Sequence, residues 1–459
     1  MAADPVQFEH GPRRRIAVVG SGIAGLSCAW LLAPRHDVIV FEADTRLGGH
    51  SNTVVVPDLH GAPIDVDCGF IVYNEKTYPN LTALFAHLEI VTHAADMSLS
   101  IARTGGGGML EYSGSGLGGL FAQKRNILRP RFWSMLAGIW RFYREAPQIM
   151  DTLDDPFASL GTMLDTARFS PAMQRDYLLP MASAMWSCSP NAVRDFPAQA
   201  FMQFCANHGL LQLRERPKWR SVIGGAAVYV TRMAQDITRK GGRIDSGCAV
   251  RAVARRPEGV RIWTDRGPMT FDDIVIATHA PEALALLADA TPEERATLSA
   301  IRYGRNTAVL HEDASFMPGR RRLWSAWNVQ NTGEDTGPRV TYWMNSLQAL
   351  PHDRNLFVTL NPDRRPTQMH ARFEYEHPMY DAASLRAQRK LWSLQGSART
   401  WFCGAYFGAG FHEDGLQAGL AVGEALGGMR RPWSVPDESA RITHDACSGS
   451  RTHPLTAAA

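Results

Sequence analysis

The chain has 459 residues, of which 45% are hydrophobic and 20% charged; this is the composition of a globular protein and excludes an intrinsically disordered one. Its formal net charge of +3 is small for this length and argues against a dedicated nucleic-acid-binding protein. Seven scattered cysteines without a C-x-x-C pair indicate neither a metal site nor a disulfide framework, and no apolar run of about 18 residues predicts a membrane span.

The first predicted element is a βαβ unit near the N-terminus. The apolar run Ile16–Val19 is typical of a strand buried on both faces of a parallel sheet. Gly20, Gly22 and Gly25 follow as G-x-G-x-x-G, a pattern that places a pyrophosphate at a helix N-terminus, and a second apolar run ends at Glu42, where a carboxylate can bind ribose hydroxyls. An ordinary glycine-rich βαβ turn is the alternative. The candidate cofactor contacts are Gly20, Ser21, Gly22, Ile23, Ala24, Gly25, Glu42 and Ala43.

The segment after the second strand indicates which dinucleotide binds. It contains Arg46, Gly48, Gly49 and His50, a second set of phosphate contacts that a nicotinamide dehydrogenase would not usually need. Together, G-x-G-x-x-G, the terminal acid and R-x-G-G resemble the N-terminal signature of the superfamily of flavin-dependent amine oxidases, protoporphyrinogen oxidases and phytoene desaturases. The resemblance implies FAD as the cofactor.

The same resemblance implies an α/β fold in which a discontinuous Rossmann-like FAD-binding domain carries an inserted mixed α+β substrate domain, as in amine oxidases. From Tyr78 to about Leu213 the spacing of apolar residues predicts mainly helices. The expected boundaries are 13–75, 218–284 and 395–430 for the FAD-binding domain, 76–217 and 285–394 for the substrate domain, and 1–12 and 436–459 for poorly ordered tails.

Two distant segments are expected to complete the cofactor site. In the resembled superfamily, a valine at the position of Val250 meets the adenine through its backbone. Near the C-terminus a strand, a glycine-rich turn and a helix recur, and the resemblance implies that the helix directs its positive end at the pyrimidine side of the flavin. The candidate contacts in this C-terminal stretch are Gly404, Glu413, Asp414 and Gly415.

The candidate catalytic residues are His412 and Glu413. Amine oxidases of the superfamily carry an aromatic residue at the place of His412, as half of a cage for the amine, so the histidine argues against an amine cage. A neutral imidazole beside the flavin could accept a proton at cytoplasmic pH. The alternatives are that His412 only hydrogen-bonds the flavin or the backbone, and that Glu413 only contacts the ribityl chain.

The segment Gln123–Glu145 combines six arginines and lysines with Trp133 and Trp140. This composition is typical of a helix lying in an anionic membrane interface, and equally of an amphipathic helix that packs its aromatic residues into the domain. The scattered cysteines and the lack of an apolar export signal in the N-terminal residues predict a cytoplasmic protein, with peripheral contact at the inner face of the membrane as the first alternative implies.

Four further stretches narrow the resemblance: GFIVYNEKTYPNL (Gly69–Leu81), NHGLL (Asn207–Leu211), VTYWMNSLQAL (Val340–Leu350) and GFHEDGL (Gly410–Leu416). They are similar to a bacterial branch of predicted FAD-binding proteins that associate with cyclopropane-fatty-acid-synthase-like methyltransferases. The branch implies desaturation of a fatty acyl chain during modified (methylated or furan) fatty-acid synthesis, with a lipid substrate and a methyltransferase partner. The alternatives are a flavin amine oxidase, a redox-neutral flavin isomerase, and a non-catalytic flavin-bound partner of a methyltransferase.

Overall fold

The architecture is seen in a computed structural model that describes residues 12–103, 109–151, 155, 157–186, 189–207, 217–331, 337–436 and 438–442. Residues 1–11 and 443–459 of the expected tails lie outside the described residues. The strands are β1 (Arg15–Val19), β2 (Asp37–Phe41), β3 (Thr53–Pro57), β4 (Pro63–Asp67), β5 (Tyr73–Asn74), β6 (Thr92–Ala94), β7 (Leu99–Arg103), β8 (Leu110–Ser113), β9 (Trp219–Val222), β10 (Arg243–Asp245), β11 (Val250–Arg256), β12 (Gly259–Thr264), β13 (Gly267–Phe271), β14 (Asp273–Ile276), β15 (Arg302–His311), β16 (Trp327–Asn331), β17 (Arg339–Trp343), β18 (Phe357–Leu360), β19 (Met369–Met379) and β20 (Thr400–Phe402). The α-helices are α1 (Ile23–Leu32), α2 (Pro79–His87), α3 (Gly116–Leu120), α4 (Pro130–Asp151), α5 (Leu160–Thr166), α6 (Pro171–Met173), α7 (Leu179–Trp186), α8 (Pro190–Arg194), α9 (Ala198–Asn207), α10 (Ala227–Arg239), α11 (Ala280–Leu286), α12 (Pro292–Ser299), α13 (Met344–Leu347), α14 (Ala382–Leu391) and α15 (His412–Ala425).

A five-stranded parallel sheet forms the centre of the nucleotide-binding half, with the strand order β10-β2-β1-β14-β20. Ala17 of β1 lies opposite Ile39 of β2 on one side and Ile274 of β14 on the other. The strands come from three separate stretches of the chain, so the domain is discontinuous in sequence, as expected. Because β1 is central, the turn that follows it opens at the middle of the carboxyl edge, where doubly wound folds bind their ligands.

Helices α1 and α15 pack directly against each other beside this sheet, although they come from opposite ends of the chain. The contact is close because α15 carries glycines on the shared face. A Cβ atom on Gly419 would lie 2.1 Å from the carbonyl oxygen of Ala24, and one on Gly423 would lie 3.2 Å from that of Cys28. The C-terminal segment is thereby fixed against the first nucleotide-binding element.

The half of the molecule that is expected to bind the substrate, called the substrate half below, is built on a seven-stranded sheet with the order β19-β15-β18-β17-β16-β7-β8. Its neighbours are antiparallel except for β7 and β16, which are parallel. The expectation of mainly helices from Tyr78 to Leu213 is wrong for β6, β7 and β8. The reason is that β7 pairs with β16, a strand from a remote part of the chain, and such distant pairing leaves no local helical or strand signature.

Helices α4 to α9 form a separate layer next to that sheet. The long helix α4 buries Phe132, Met135 and Phe142, whereas Trp133 and Trp140 remain about half exposed. Gly138 lets α4 approach α6, because a Cβ atom there would lie 2.5 Å from the Cβ of Met173. None of the helices in the described residues has the length and apolarity that crossing a bilayer requires.

Candidate functional site

The turn between β1 and α1 has the geometry expected of a dinucleotide cradle. Gly20 adopts φ = +103°, and a Cβ atom on Gly25 would lie 2.0 Å from the carbonyl oxygen of Gly20, so both glycines are required by the turn itself. Gly22 is different, because a Cβ atom there would meet no protein atom within 4 Å. The missing side chain of Gly22 thus leaves open space in front of the α1 N-terminus, where Ile23 and Ala24 begin the helix.

Glu42 directly follows β2 and lies beside this turn. One carboxylate oxygen accepts hydrogen bonds from the backbone N–H of Ser21 (2.9 Å) and from its hydroxyl (2.6 Å), and the other accepts from the backbone N–H of Asp44 (2.9 Å). Each carboxylate oxygen has lone pairs for further donors, so ribose hydroxyls can be bound without breaking these bonds. Ala43 follows and is exposed.

The loop from Arg46 to His50 covers the same turn. Gly48 donates its backbone N–H to the carbonyl oxygen of Ser21 (3.1 Å), and a Cβ atom on Gly49 would lie 3.3 Å from the Cα of Gly22. The Arg46 guanidinium donates to the carbonyl oxygens of Leu47, Gly49 and Ser51 at 2.8–3.1 Å. In this structure Arg46 therefore braces the loop that carries the glycine pair.

His50 is half-buried among other imidazole rings. Its ring centroid lies 5.4 Å from that of His377 and 5.8 Å from that of His279, and its Nε2 atom has no hydrogen-bond partner in the described residues. Burial, with the two neighbouring histidines, holds the pKa of His50 well below its usual value. A bound cofactor could supply the missing hydrogen-bond partner of this neutral side chain, which lies next to Gly49.

Two later segments of the chain return to this site, one before β11 and one at the start of α10. Cys248 donates its backbone N–H to the carbonyl oxygen of Glu42 (2.8 Å), which brings the start of β11, and hence Val250, beside the end of β2. Asp67 ties the β3–β4 hairpin to α10, since its carboxylate accepts from the Thr53 hydroxyl (2.6 Å) and the Ala226 backbone N–H (2.9 Å). Burial raises the pKa of Asp67 to about 7.

The first turn of α15 contains two fully buried acids, and each has a defined partner. Glu413 accepts hydrogen bonds from the backbone N–H groups of Asn80 and Leu81, both at 3.0 Å, and therefore caps the N-terminus of α2. Asp414 accepts from the backbone N–H of Phe411 (2.8 Å) and pairs with Arg441 at 2.7 Å. Burial raises the pKa of both carboxyls. These hydrogen bonds and the ion pair indicate that the two acids hold α15 in place.

Gly404 and Gly415 lie where the C-terminal turn meets α1. A Cβ atom on Gly415 would lie 3.1 Å from the side chain of Ile23 and 3.6 Å from the backbone nitrogen of Ala405. At Gly404, a Cβ atom would overlap the ring of Tyr406 at 2.5 Å. Gly415 therefore lets the start of α15 approach α1, and Gly404 leaves room for the ring of Tyr406.

His412 is the first residue of α15 and is held by two aromatic neighbours. Its ring stacks on Phe70, with centroids 3.8 Å apart and planes inclined by 12°, and its Nε2 atom shares a hydrogen bond of 2.8 Å with the Tyr229 hydroxyl. The Tyr229 hydroxyl also bonds the hydroxyl of Ser51. Burial lowers the pKa of His412 to about 3, so the imidazole is neutral at physiological pH.

Comparison with known proteins matches this architecture to a family. Residues 23–312, more than half of the chain, match the family described as flavin containing amine oxidoreductase. The chain belongs to the flavin-containing amine oxidoreductase family. It is an FAD-dependent oxidoreductase, and its glycine turn, Glu42, and the Gly48–Gly49 pair fit the adenosine and pyrophosphate parts of FAD. A search of curated proteins gives no significant match.

Solved structures of two amine oxidases and of a fatty acid isomerase share the fold. Cyclohexylamine oxidase from Brevibacterium oxydans IH-35A is 17% identical, with a TM-score of 0.66, and the alignment covers 91% of this chain and 99% of the oxidase. Putrescine oxidase bound to putrescine is 14% identical, with a TM-score of 0.65 over 90% of this chain and 99% of that one. A CLA-producing fatty acid isomerase from P. acnes is 13% identical, with a TM-score of 0.62 over 90% and 98%.

Several residues of this flavoenzyme site were missed in the sequence. Phe70 and Tyr229 fix His412, but both lie in stretches whose pattern indicates only a strand and a helix. Arg441 lies in the expected C-terminal tail, yet it pairs with Asp414 and donates to the carbonyl oxygen of Thr77 (2.6 Å). A lone arginine in a polar segment gives no signal for a buried partner that is distant in the sequence.

Proposed function

We propose that this FAD-dependent oxidoreductase desaturates a fatty acyl chain. The observation that carries the proposal is the environment of His412, which stands where amine oxidases of the resembled superfamily have an aromatic cage residue. The ring is covered on one face by Phe70 and tied by Tyr229, and its lowered pKa keeps it uncharged. Such a surface favours an apolar substrate over an ammonium group, which open aromatic faces bind through cation–π contacts.

The acids nearest to His412 support the same conclusion. Among the described residues of the first turn of α15, Glu413 is engaged by the N-terminus of α2 and Asp414 by Arg441. Neither carboxylate is left to attract a cationic amine. One structural neighbour is described as a fatty acid isomerase, which supports a fatty acyl substrate on this fold.

In the proposed reaction, FAD supplies the hydride acceptor, a proton leaves the adjacent carbon, and the remaining electron pair forms the double bond. His412 is the proton acceptor in this proposal. If its Nε2–H donates to the Tyr229 oxygen and the Tyr229 hydroxyl donates to Ser51, the Nδ1 atom is left unprotonated. Burial keeps that nitrogen unprotonated before the reaction at any physiological pH, although it also makes the imidazole a weak base.

Anaerobic stopped-flow mixing tests the proposal without a reoxidising acceptor. The FAD-loaded protein is mixed with an unsaturated phospholipid or with a primary amine, and the flavin absorbance and the lipid products are recorded. Lasting bleaching with the lipid, together with a product two hydrogens lighter, is the expected result. His412→Ala should lower the bleaching rate more than the FAD content.

The alternatives give different outcomes in the same experiment. Bleaching by the amine alone would indicate an amine oxidase, for which several structural neighbours are named. A shifted double bond without net bleaching would indicate an isomerase. No reaction with either substrate, together with retained FAD, would indicate a non-catalytic partner of a methyltransferase.

A further inference from the structure

Exposed apolar side chains concentrate on one part of the substrate half. Of the thirteen large hydrophobic side chains that are exposed among the described residues, six lie between residues 109 and 140. Leu128 is 85% exposed, and Trp133 and Trp140 are 50% and 52% exposed. We call this set the α4 surface; its members are Met109, Leu117, Ile127, Leu128, Trp133 and Trp140.

Hydrogen bonds and ring contacts make the α4 surface continuous. The Trp133 indole donates to the carbonyl oxygen of Ile127 (2.9 Å), and the ring of Phe121 lies 5.7 Å from that of Trp133. The Gln123 side chain donates to the carbonyl oxygen of Met109 (3.0 Å). Along α4, Trp133 and Trp140 are about two helical turns apart and therefore lie on the same helix face.

Basic residues predominate around the α4 surface. Between Tyr112 and Arg144 the sequence contains six basic residues and no acidic one. Lys124 and Arg125 are exposed beside Ile127 and Leu128. Three of the arginines have acidic partners, since Arg131 pairs with Asp176 and both Arg141 and Arg144 pair with Glu145. The basic residues are Lys124, Arg125, Arg129, Arg131, Arg141 and Arg144.

We propose that the α4 surface docks on an anionic lipid bilayer. Trp133, Trp140 and Leu128 would enter the boundary between head groups and acyl chains, and Lys124 and Arg125 would contact the anionic head groups. A bilayer suits the surface because the apolar side chains project along a helix face, with exposed cations between them. Helix α4 buries Phe132 and Phe142 in the domain and presents the two tryptophans outward, so packing and docking would use different side chains of the same helix.

Vesicle flotation of the full-length, FAD-loaded protein tests this docking. The probe vesicles contain phosphatidylcholine alone or phosphatidylcholine with phosphatidylglycerol, at low and at physiological salt. We expect flotation with the anionic vesicles, weakened by salt. Because each cation near the bilayer contributes about 1 kcal/mol, Lys124→Gln combined with Arg125→Gln should reduce partitioning roughly thirtyfold. The readout does not depend on the substrate, so it stands or falls separately from the proposed function.

The tryptophans are tested by Trp133→Ser with Trp140→Ser, and Leu128 by Leu128→Ser. The matched controls are Trp263→Ser on β12 and Leu59→Ser, both exposed and distant in sequence from the α4 surface. The first two variants should lose at least tenfold in partitioning, and the controls should float like the unmodified protein. Three results would overturn the proposal: no flotation of the unmodified protein at low salt, equal losses in the controls, or self-association that disappears with the tryptophans, which would show that a second copy covers the surface.

Discussion

The open space in front of Gly22 leads to a specific prediction for Gly22→Ala. Gly22 is the N-cap of α1 with φ = −65° and ψ = 175°, a conformation that alanine adopts without strain. Its Cβ would contact no protein atom within 4 Å. The lower entropy of the unfolded chain favours alanine by about 0.4–1 kcal/mol, and the N-cap preference opposes this by a similar amount. The free energy of unfolding of the FAD-free protein should therefore change by less than about 1 kcal/mol.

The affinity for FAD, in contrast to the stability, should change strongly in Gly22→Ala. The added methyl group would occupy the space through which the pyrophosphate approaches the N–H groups at the start of α1, and we expect the affinity to fall at least tenfold, about 1.4 kcal/mol. Titration of the FAD-free protein, followed by flavin fluorescence, gives the affinity, and urea unfolding gives the stability.

Gly25→Ala is the matched control for this experiment. Its Cβ would lie 2.0 Å from the carbonyl oxygen of Gly20, so this variant should lose stability by about 1–3 kcal/mol or more even without FAD. An unchanged affinity for FAD in Gly22→Ala would refute the assignment of the space to the cofactor. A loss of stability in Gly22→Ala equal to that of Gly25→Ala would show that the space does not exist in the folded protein.

Four further measurements address other residues of the site. Glu42→Ala should weaken FAD retention because it removes the candidate ribose acceptor, and a purified variant with full flavin absorbance would contradict this role. Glu413→Gln leaves at least one backbone N–H of α2 without an acceptor and should cost about 1–3 kcal/mol in urea unfolding; an unchanged stability with a slower flavin reduction would instead make Glu413 catalytic. Since the pKa of His412 is about 3, the rate of flavin reduction should show no ionisation that His412→Asn abolishes between about pH 5 and pH 8. The pKa of Asp67 is raised to about 7, so the folded state binds this proton more tightly than the unfolded state. The free energy of unfolding should therefore fall by up to about 4 kcal/mol as pH rises from about 4 to about 7. Asp67→Asn should flatten this pH dependence, and equal slopes in both proteins would refute the prediction.

The nucleotide half could be predicted from sequence because its signals are local. A buried strand, three glycines and a terminal acid follow one another in a single short stretch, and each position follows from the geometry of one turn. Gly25 shows this directly, since no other residue could approach the carbonyl of Gly20 so closely. The family match over residues 23–312 confirms FAD as the cofactor, whereas the contacts of the R-x-G-G segment with it stay a prediction.

The surroundings of His412 could not be predicted because they depend on three distant segments. Phe70 and Tyr229 both precede it by a long stretch of chain, and they meet it only when α10 and the β4–β5 connection pack around the α15 N-terminus. The strands β7 and β8 were missed for a related reason. Their sheet takes its other strands from β15 to β19, much later in the chain, and the local spacing gives no sign of them.

The two acids in the first turn of α15 lie at the end of the helix that would otherwise carry a positive potential, and each has a partner elsewhere in the fold. A helix N-terminus can stabilise negative charge on a bound group, but ionised acids in the first turn would oppose it. Glu413 faces the N-terminus of α2, whose own positive end compensates it, and Asp414 faces Arg441. Each carboxyl thus has a partner on another segment of the chain, and in the expected flavin contact the positive end of α15 would face the cofactor. Arg441 is the partner of Asp414 and also donates to the carbonyl oxygen of Thr77, so the chain after α15 is held against the segment that precedes α2.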